Sequence, residues 1–358
     1  MANDPKRVPG IMAITPAELA KCVMASYELR RPLMIWGPPG TGKSEVVRDT
    51  AADHGLEFID LRLVQLDSVD LRGMPYRYED KGDDGTSTTV MGWAIPGPGL
   101  LPRRGRGILF LDELPQAPTL VLNSASELLL DRRIGEYRLP EGWSIICAGN
   151  RRTDRAGTME VPTHLKNRLM HVEMKQSLDD WLDWAADHGV NAHVMAFLKS
   201  APKHLYAFDA DSMAWPSLRT WKFASDLINA GHKGKVLEAL LFGSVGEKVG
   251  TELCAFLDRS LDLPSYADVI ADPLGVPLPS KAGMVFSLTG MVAASAKIKD
   301  IDQVLKFFER FIREDDMGAE NVHFGLIQMA EREKGFSANP AFADLLKRLE
   351  GKDKGQKA

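Results

Sequence analysis

A chain of 358 residues, 44% hydrophobic and with a net charge of -5, holds enough apolar material for two packed units and has no overall attraction to nucleic acid. No apolar run approaches the roughly 18 residues of a membrane-spanning helix, and the opening MANDPKRVPG lacks the apolar segment of a secretory signal, so a cytoplasmic protein is expected. The three cysteines, Cys22, Cys147 and Cys254, are far apart in apolar surroundings, which predicts buried thiols rather than a disulfide framework or a metal site.

In chain order, Thr15 followed by Pro16 predicts a helix start, continued with helical spacing to residue 30. Residues 32–36 (PLMIW) read as a short buried strand, and residues from Ser44 to His54 as a helix ended by Gly55. Between them stand Gly37, Pro38, Pro39, Gly40, Thr41, Gly42, Lys43 and Ser44, which fit the phosphate-loop pattern G-x-x-x-x-G-K-[ST] in the strand-to-helix context the pattern requires. Glycines let the backbone curl so that successive N–H groups point at phosphate oxygens, and the helix start adds unpaired N–H groups and its positive dipole end. Lys43 is expected to reach the β- and γ-phosphates, and the Ser44 hydroxyl to take one coordination position on Mg²⁺.

Residues 56–63 alternate as a second strand. Residues 67–102 are rich in turn formers, with a polar tip at 81–87, and read as an inserted loop or hairpin whose Tyr76, Tyr78 and Trp93 suggest packed flanks. The apolar run Ile108-Leu109-Phe110-Leu111 then delivers Asp112 and Glu113 to the C-terminal end of a buried strand, the edge at which open α/β sheets bind ligands. Asp112 is expected to hold Mg²⁺, and Glu113 to polarise an attacking water. A helix over 119–130, a small hairpin over 132–139 turning at Gly135, and a buried strand over 143–148 ending in Gly149-Asn150 follow. Residues 170–174 form a fifth strand, and the alternation implies a parallel sheet with helices on both faces. Beyond residue 176 only helices are expected, over 178–188, 192–200, 217–229, 235–242, 245–261, 304–313 and 321–333, with a disordered tail over 350–358. His188 and His193 do not share a helical face as a zinc pair would, and Trp181 and Trp184 read as helical-domain core.

The loop at 37–44, Asp112-Glu113, Asn150, Arg168 and Arg219 together resemble the AAA+ ATPases, most closely their MoxR-like branch, over roughly residues 10–230. The resemblance implies a five-stranded parallel P-loop α/β domain over 1–176 and an all-α lid with a C-terminal helical region over 177–349. It also implies ATP and Mg²⁺ as ligands, ATPase activity and a homo-oligomer, by family habit a hexameric ring. Asn150 then corresponds to the sensor 1 residue that helps place the attacking water. Leu165-Lys166-Asn167-Arg168-Leu169 is similar to the segment carrying the arginine finger, which makes Arg168 the candidate, and Trp215-Pro216-Ser217-Leu218-Arg219-Thr220 is similar to the start of the lid helix carrying sensor 2, which makes Arg219 the candidate. The two insertions match in position those of the branch, which often face a central pore. Leu114-Pro115-Gln116 departs from the branch's Asn-Arg after the carboxylates. Asn150 to Asp154, NRRTD, does not match the Asn-Lys-x-Asp guanine reader, so ATP is favoured over GTP. The implied function is a chaperone-like remodeller of a protein partner, by resemblance one with a von Willebrand A domain. The alternative is a nucleic-acid motor or loader using Arg132, Arg133 and Arg138 of the small hairpin. A nucleotide-dependent scaffold without turnover would not need Glu113.

Overall fold

The computed structural model describes residues 8–353 except 82, 84, 152–153, 155–160, 261–262, 280–281 and 315–317. The chain forms two compact units, Met1–Ser177 and Leu178–Ala358.

The first unit begins with strand β1 (Ala13–Ile14) and helix α1 (Pro16–Leu29). Thr15 starts α1 as its sequence requires: Thr15 Oγ1 accepts from Glu18 N at 3.3 Å while Thr15 N donates to Glu18 Oε2 at 2.8 Å, a reciprocal cap. There follow β2 (Leu33–Trp36), α2 (Lys43–Asp53), β3 (Glu57–Arg62), the single-turn α3 (Ser68–Arg72), the hairpin strands β4 (Met74–Lys81) and β5 (Ser87–Ala94), and β6 (Gly107–Asp112). Helix α4 (Thr119–Asp131), the small hairpin β7 (Arg133–Ile134) and β8 (Tyr137–Arg138), β9 (Trp143–Gly149), α5 (Thr163–Lys166) and β10 (Met170–Met174) complete it.

The main sheet is wholly parallel in the order β1-β10-β2-β9-β6-β3. It therefore has six strands where the sequence suggested five. The sixth is β1, whose two residues pair with Glu173 and Met174 at the edge and are too few to leave an alternation. Alternate side chains enter opposite layers. Leu33, Ile35, Ile108, Phe110 and Ile146 pack under Leu19, Val23, Val47 and Ala51 of α1 and α2, while Met34, Leu109, Leu111, Ile145 and Cys147 pack under Val121, Ala125 and Leu128 of α4. All are almost fully buried, each large side chain contributing about 1.5–3 kcal/mol. This two-sided burial is why the strands read as continuous apolar runs. The 67–102 insertion is α3 followed by an antiparallel hairpin pairing Met74 with Ala94 through Lys81 with Ser87.

The second unit consists, among the described residues, of helices: α6 (Leu178–Asp187), α7 (Ala192–Ser200), α8 (Leu218–Asn229), α9 (Gly234–Val245), α10 (Glu247–Ser260), α11 (Tyr266–Ala271), α12 (Ala282–Ser295), α13 (Ile301–Glu314), α14 (Gly318–Arg332) and α15 (Pro340–Asp353). One core gathers Trp181, Val194, Trp221, Leu253 and Phe256; the other gathers Leu288, Phe307, Phe308, Phe311, Leu326 and Phe342. α15 corrects the expected tail: residues 350–353 continue a helix whose Phe342, Leu345 and Leu349 are buried, and the remainder of 350–358 lies outside the described residues. α11 and α12 were not expected. α12 has no polar face to give a period, since Ser287 and Thr289 are buried with Val285, Phe286 and Leu288.

Candidate phosphate-loop site

At the end of β2 the chain reverses into α2 through residues 37–44. Gly40 and Gly42 have φ of 75° and 79°, a left-handed region that costs other residues about 1–2 kcal/mol each. Thr41 Oγ1 donates to Pro38 O at 2.9 Å, and Gly37 N donates to Gly149 O at 3.3 Å, which ties the loop to the end of β9. Gly42 is the N-cap of α2 and supplies no side-chain acceptor, so the first-turn N–H groups have no side-chain cap, the condition in which a helix start takes an anion. Lys43 is 9% exposed. Its Nζ donates to Gly37 O at 2.9 Å, Pro38 O at 3.0 Å and Asn150 Oδ1 at 3.4 Å, so the ammonium is held inside the loop against the residue that ends β9. Ser44 Oγ donates to Glu45 Oε2 at 3.0 Å.

β6 lies on the far side of β9 from β2 and delivers Asp112 and Glu113, both half-buried, to the same C-terminal edge. Glu113 has φ of 58° and its N–H is accepted by Asp112 Oδ1 at 2.9 Å, a sharp left-handed turn out of the strand. The departure at Leu114-Pro115-Gln116 has a structural counterpart in β9: a Cβ on Gly149 would lie 2.3 Å from Pro115 Cδ, so the Pro115 ring packs where only glycine fits. The Glu113 turn and the Asn150 end of β9 are thereby held together.

Two groups at this edge were not singled out in the sequence. Asp60, on β3 opposite Phe110, shares a sheet face with Asp112, which stands opposite Arg62. Its Oδ2 meets Arg48 Nη2 at 3.4 Å, but Oδ1 is buried without a hydrogen-bond partner among the described residues. Burial, and next the Asp112 charge, push its carboxyl above the usual range, against the lowering effect of Arg62 and Arg48. An unsatisfied buried oxygen beside a second carboxylate suits a cation, and with Ser44 and Asp112 the donor set is the hard-oxygen kind that Mg²⁺ takes. Among the described residues no group of three or more His, Cys, Asp or Glu could hold a metal unaided. Arg151 is the second. It donates to Asp154 at 2.9–3.2 Å and to Glu173 Oε1 at 2.8 Å, while Glu173 Oε2 accepts Val8 N at 3.0 Å. Both carboxylates are 3% exposed. Hydrogen bonds and charge from the two carboxylates outweigh burial and hold the guanidinium above its ordinary value. This triad anchors the residue after Asn150 to β10 beside the loop strand, and the sole signal in sequence was a charged NRRTD after a buried strand.

Arg168 is exposed and lies just before β10, at the N-terminal edge of the sheet, opposite the loop. Arg219 is exposed on the first turn of α8 in the second unit, where Ser217 and Thr220 cap the helix. Of the predicted site residues, the first unit brings together the loop, Asp112, Glu113 and Asn150 at one edge and sets Arg168 at the other. The small hairpin offers less than its sequence suggested for nucleic acid. Arg132 caps α4 at φ 53° and donates to Pro140 O at 3.1 Å and Trp143 O at 2.6 Å; Arg133 stands 3.9 Å from Glu127; Arg138 is exposed. His188 stacks on Trp184 at 4.4 Å, and His193 Nδ1 is 2.6 Å from Ser287 Oγ, so the two serve local packing and hydrogen bonding. Cys147 is buried, and burial pushes its thiol up. Among the described residues no helix is long and apolar enough to cross a membrane.

Fold and site together define a parallel α/β domain with a phosphate-loop edge. No family model matches the chain. It is similar to the uncharacterized protein YifB of Escherichia coli, 32% identical over 134 residues, which is 33% of this chain and 26% of that one, and to YifB of Salmonella typhimurium at 31% over 133 residues. The match thus spans 26% of the length of these curated relatives. Among solved structures, NtrX of Brucella abortus in complex with ATP gives a TM-score of 0.38 at 16% identity over 96% of this chain and 70% of that one. The Thermotoga maritima RuvB Holliday junction branch migration motor gives 0.39 at 12% identity over 73% and 75%.

Proposed function

We propose that the chain is an ATP-hydrolysing AAA+ protein of MoxR-like type that works as a homo-oligomeric ring, of six subunits by family habit, to remodel a protein partner. The observation that carries this reading is the meeting of Lys43 and Asn150 at 3.4 Å, beside the Asp112–Glu113 turn and a helix start with no side-chain cap.

In this reading ATP is the substrate, with its β- and γ-phosphates on the loop amides and Lys43 exchanging its carbonyl partners for phosphate oxygens. Ser44 and Asp112 would hold Mg²⁺, which when bound neutralises phosphate charge. Glu113 accepts a proton from the attacking water and Asn150 orients that water; the bond to the ADP oxygen breaks and inorganic phosphate leaves. Arg168 cannot serve its own loop. From the level of Leu33, which pairs with Met170, to Gly37 is four residues, about 13 Å of strand. It therefore acts on the nucleotide of a neighbouring copy. Arg219, at the start of α8, is assigned the sensor 2 role. A protein target is favoured by the acidic balance and by Arg132 being committed to carbonyls; a von Willebrand A domain on that partner is what the resemblance implies.

Phosphate release from Mg-ATP tests the reading. Glu113→Gln should bind ATP as the wild type does and turn it over roughly 10²–10⁴-fold more slowly. Wild-type turnover in that variant would remove Glu113 from the chemistry.

A further inference from the structure

At the N-terminal edge of the sheet a cavity of about 640 Å³ is lined by four arginines, Arg30, Arg31, Arg132 and Arg168, over an apolar floor that includes Leu129 and Ile145. In a chain of net charge -5 this is a concentrated positive site. The four are not equivalent. Arg132 is turned inward to two carbonyls, and Arg30 meets Glu141 only at 3.5 Å, where the side chains are 52% and 90% exposed. Arg31 and Arg168 have no ion-pair partner among the described residues. The backbone places them at the same end of neighbouring strands: Met170 N donates to Pro32 O at 3.0 Å and Met170 pairs with Leu33, so Arg31 and Arg168, each two residues before its strand, line one cavity. Adjacent strands lie about 4.8 Å apart. Burial, and then the charge of Arg30, already hold the Arg132 guanidinium below its ordinary pKa. Guanidiniums that share one cavity repel until an anion bridges them, and their planar forks suit phosphate oxygens.

The two ends of the sheet are complementary. One carries the phosphate loop with Asp60, Asp112 and Glu113; the other carries the arginine basin. A head-to-tail contact between copies sets one end against the other and closes into a ring when the rotation permits. We infer that Arg31 is a second cation of the trans site, forming with Arg168 a paired guanidinium seat for the terminal phosphates of nucleotide bound in a neighbouring copy. This rests on the ATPase reading above.

The test uses the full chain. Arg31→Ala should bind ATP with wild-type affinity in calorimetry but lose roughly 10²-fold in turnover at saturating Mg-ATP. ATP-driven assembly, read by sedimentation, should need more protein than in the wild type, and Arg31→Lys should recover part of both. Far-UV circular dichroism checks folding of this exposed substitution. Mixing Arg31→Ala with Lys43→Ala should restore turnover, because a loop-intact site then meets an Arg31-intact neighbour. Wild-type turnover in Arg31→Ala, while Arg168→Ala is crippled, overturns this inference and leaves the ATPase reading standing. A mixture that stays inactive although mixed oligomers form also overturns it, placing Arg31 in its own subunit's site. Loss of binding to a labelled single-stranded oligonucleotide with turnover unchanged would overturn it in favour of a nucleic-acid seat. Absence of ATP turnover in the wild type removes the ATPase reading and this inference with it.

Discussion

Replacing Arg151 by alanine removes the guanidinium that, among the described residues, joins Asp154 and Glu173, each 3% exposed. Two carboxylates would then be buried with their main countercharge gone, and breaking a buried ion pair in this way typically costs about 3–5 kcal/mol. For a unit of 177 residues, at about 2–4 °C per kcal/mol, Tm should fall by about 6–20 °C. The loss should be confined to the first unit, because the three residues all belong to it. Differential scanning calorimetry of the full chain reads this directly, as a downward shift of one transition with the other unmoved. The substitution also loosens the segment that carries Asn150, since Arg151 N donates to Asp154 Oδ2 at 3.0 Å. ATP affinity should therefore fall together with Tm. The triple variant Arg151→Met, Asp154→Leu, Glu173→Met, which replaces the charges with apolar groups of similar volume, should recover most of the lost stability. A Tm shift below about 2 °C in Arg151→Ala, or a triple variant no more stable than the single one, would refute the reasoning.

His193 is half-buried beside Ser287, and this burial holds its pKa below the ordinary 6.5. Its contribution is therefore fully present above pH 6.5 and is lost as pH falls from there through the folded value, because the unfolded chain takes up the proton first; His193→Gln should flatten that part of the pH–stability profile of the second unit in thermal melts. Arg132→Ala should destabilise the first unit by about 2–3 kcal/mol through lost charged hydrogen bonds to Pro140 O and Trp143 O, with Arg132→Gly less harmed because φ is 53°. Neither substitution of Arg132 should change binding to single-stranded DNA by more than about twofold, measured by anisotropy against the wild type.

The phosphate loop was legible because its chemistry is local: eight consecutive residues specify both the turn and its donors. Asp112, Glu113 and Asn150 were legible for a related reason, each ending a run whose burial on both faces leaves a continuous apolar signature. Features that depend on contact across the fold left little trace. The Arg151 clamp joins residues 22 positions apart through side chains alone. The need for glycine at 149 comes from Pro115 on the neighbouring strand's exit. Arg132 looked like an exposed hairpin charge and is instead a helix cap bound to carbonyls. β1 is too short to show a period, α12 buries even its Ser287 and Thr289 and so shows no polar face, and α15 extends to Asp353 because its inner face has Phe342, Leu345 and Leu349 to bury. That Arg31 and Arg168 line one cavity follows from β10 lying beside β2, which no spacing in the sequence supplies.

Binding of ATP at the Lys43 loop is the claim on which the rest depends, and isothermal calorimetry of the wild type against Lys43→Ala measures it most directly. The ammonium is almost enclosed by the loop and already aligned on three oxygens, so it is placed for phosphate without rearranging the backbone. Its charge-assisted hydrogen bonds are worth about 1.5–3 kcal/mol each. The wild type should bind one ATP per chain, and Lys43→Ala should bind it roughly 10²-fold more weakly or not measurably. Equal affinity in the two proteins, or no ATP binding by a folded wild type, would contradict the account.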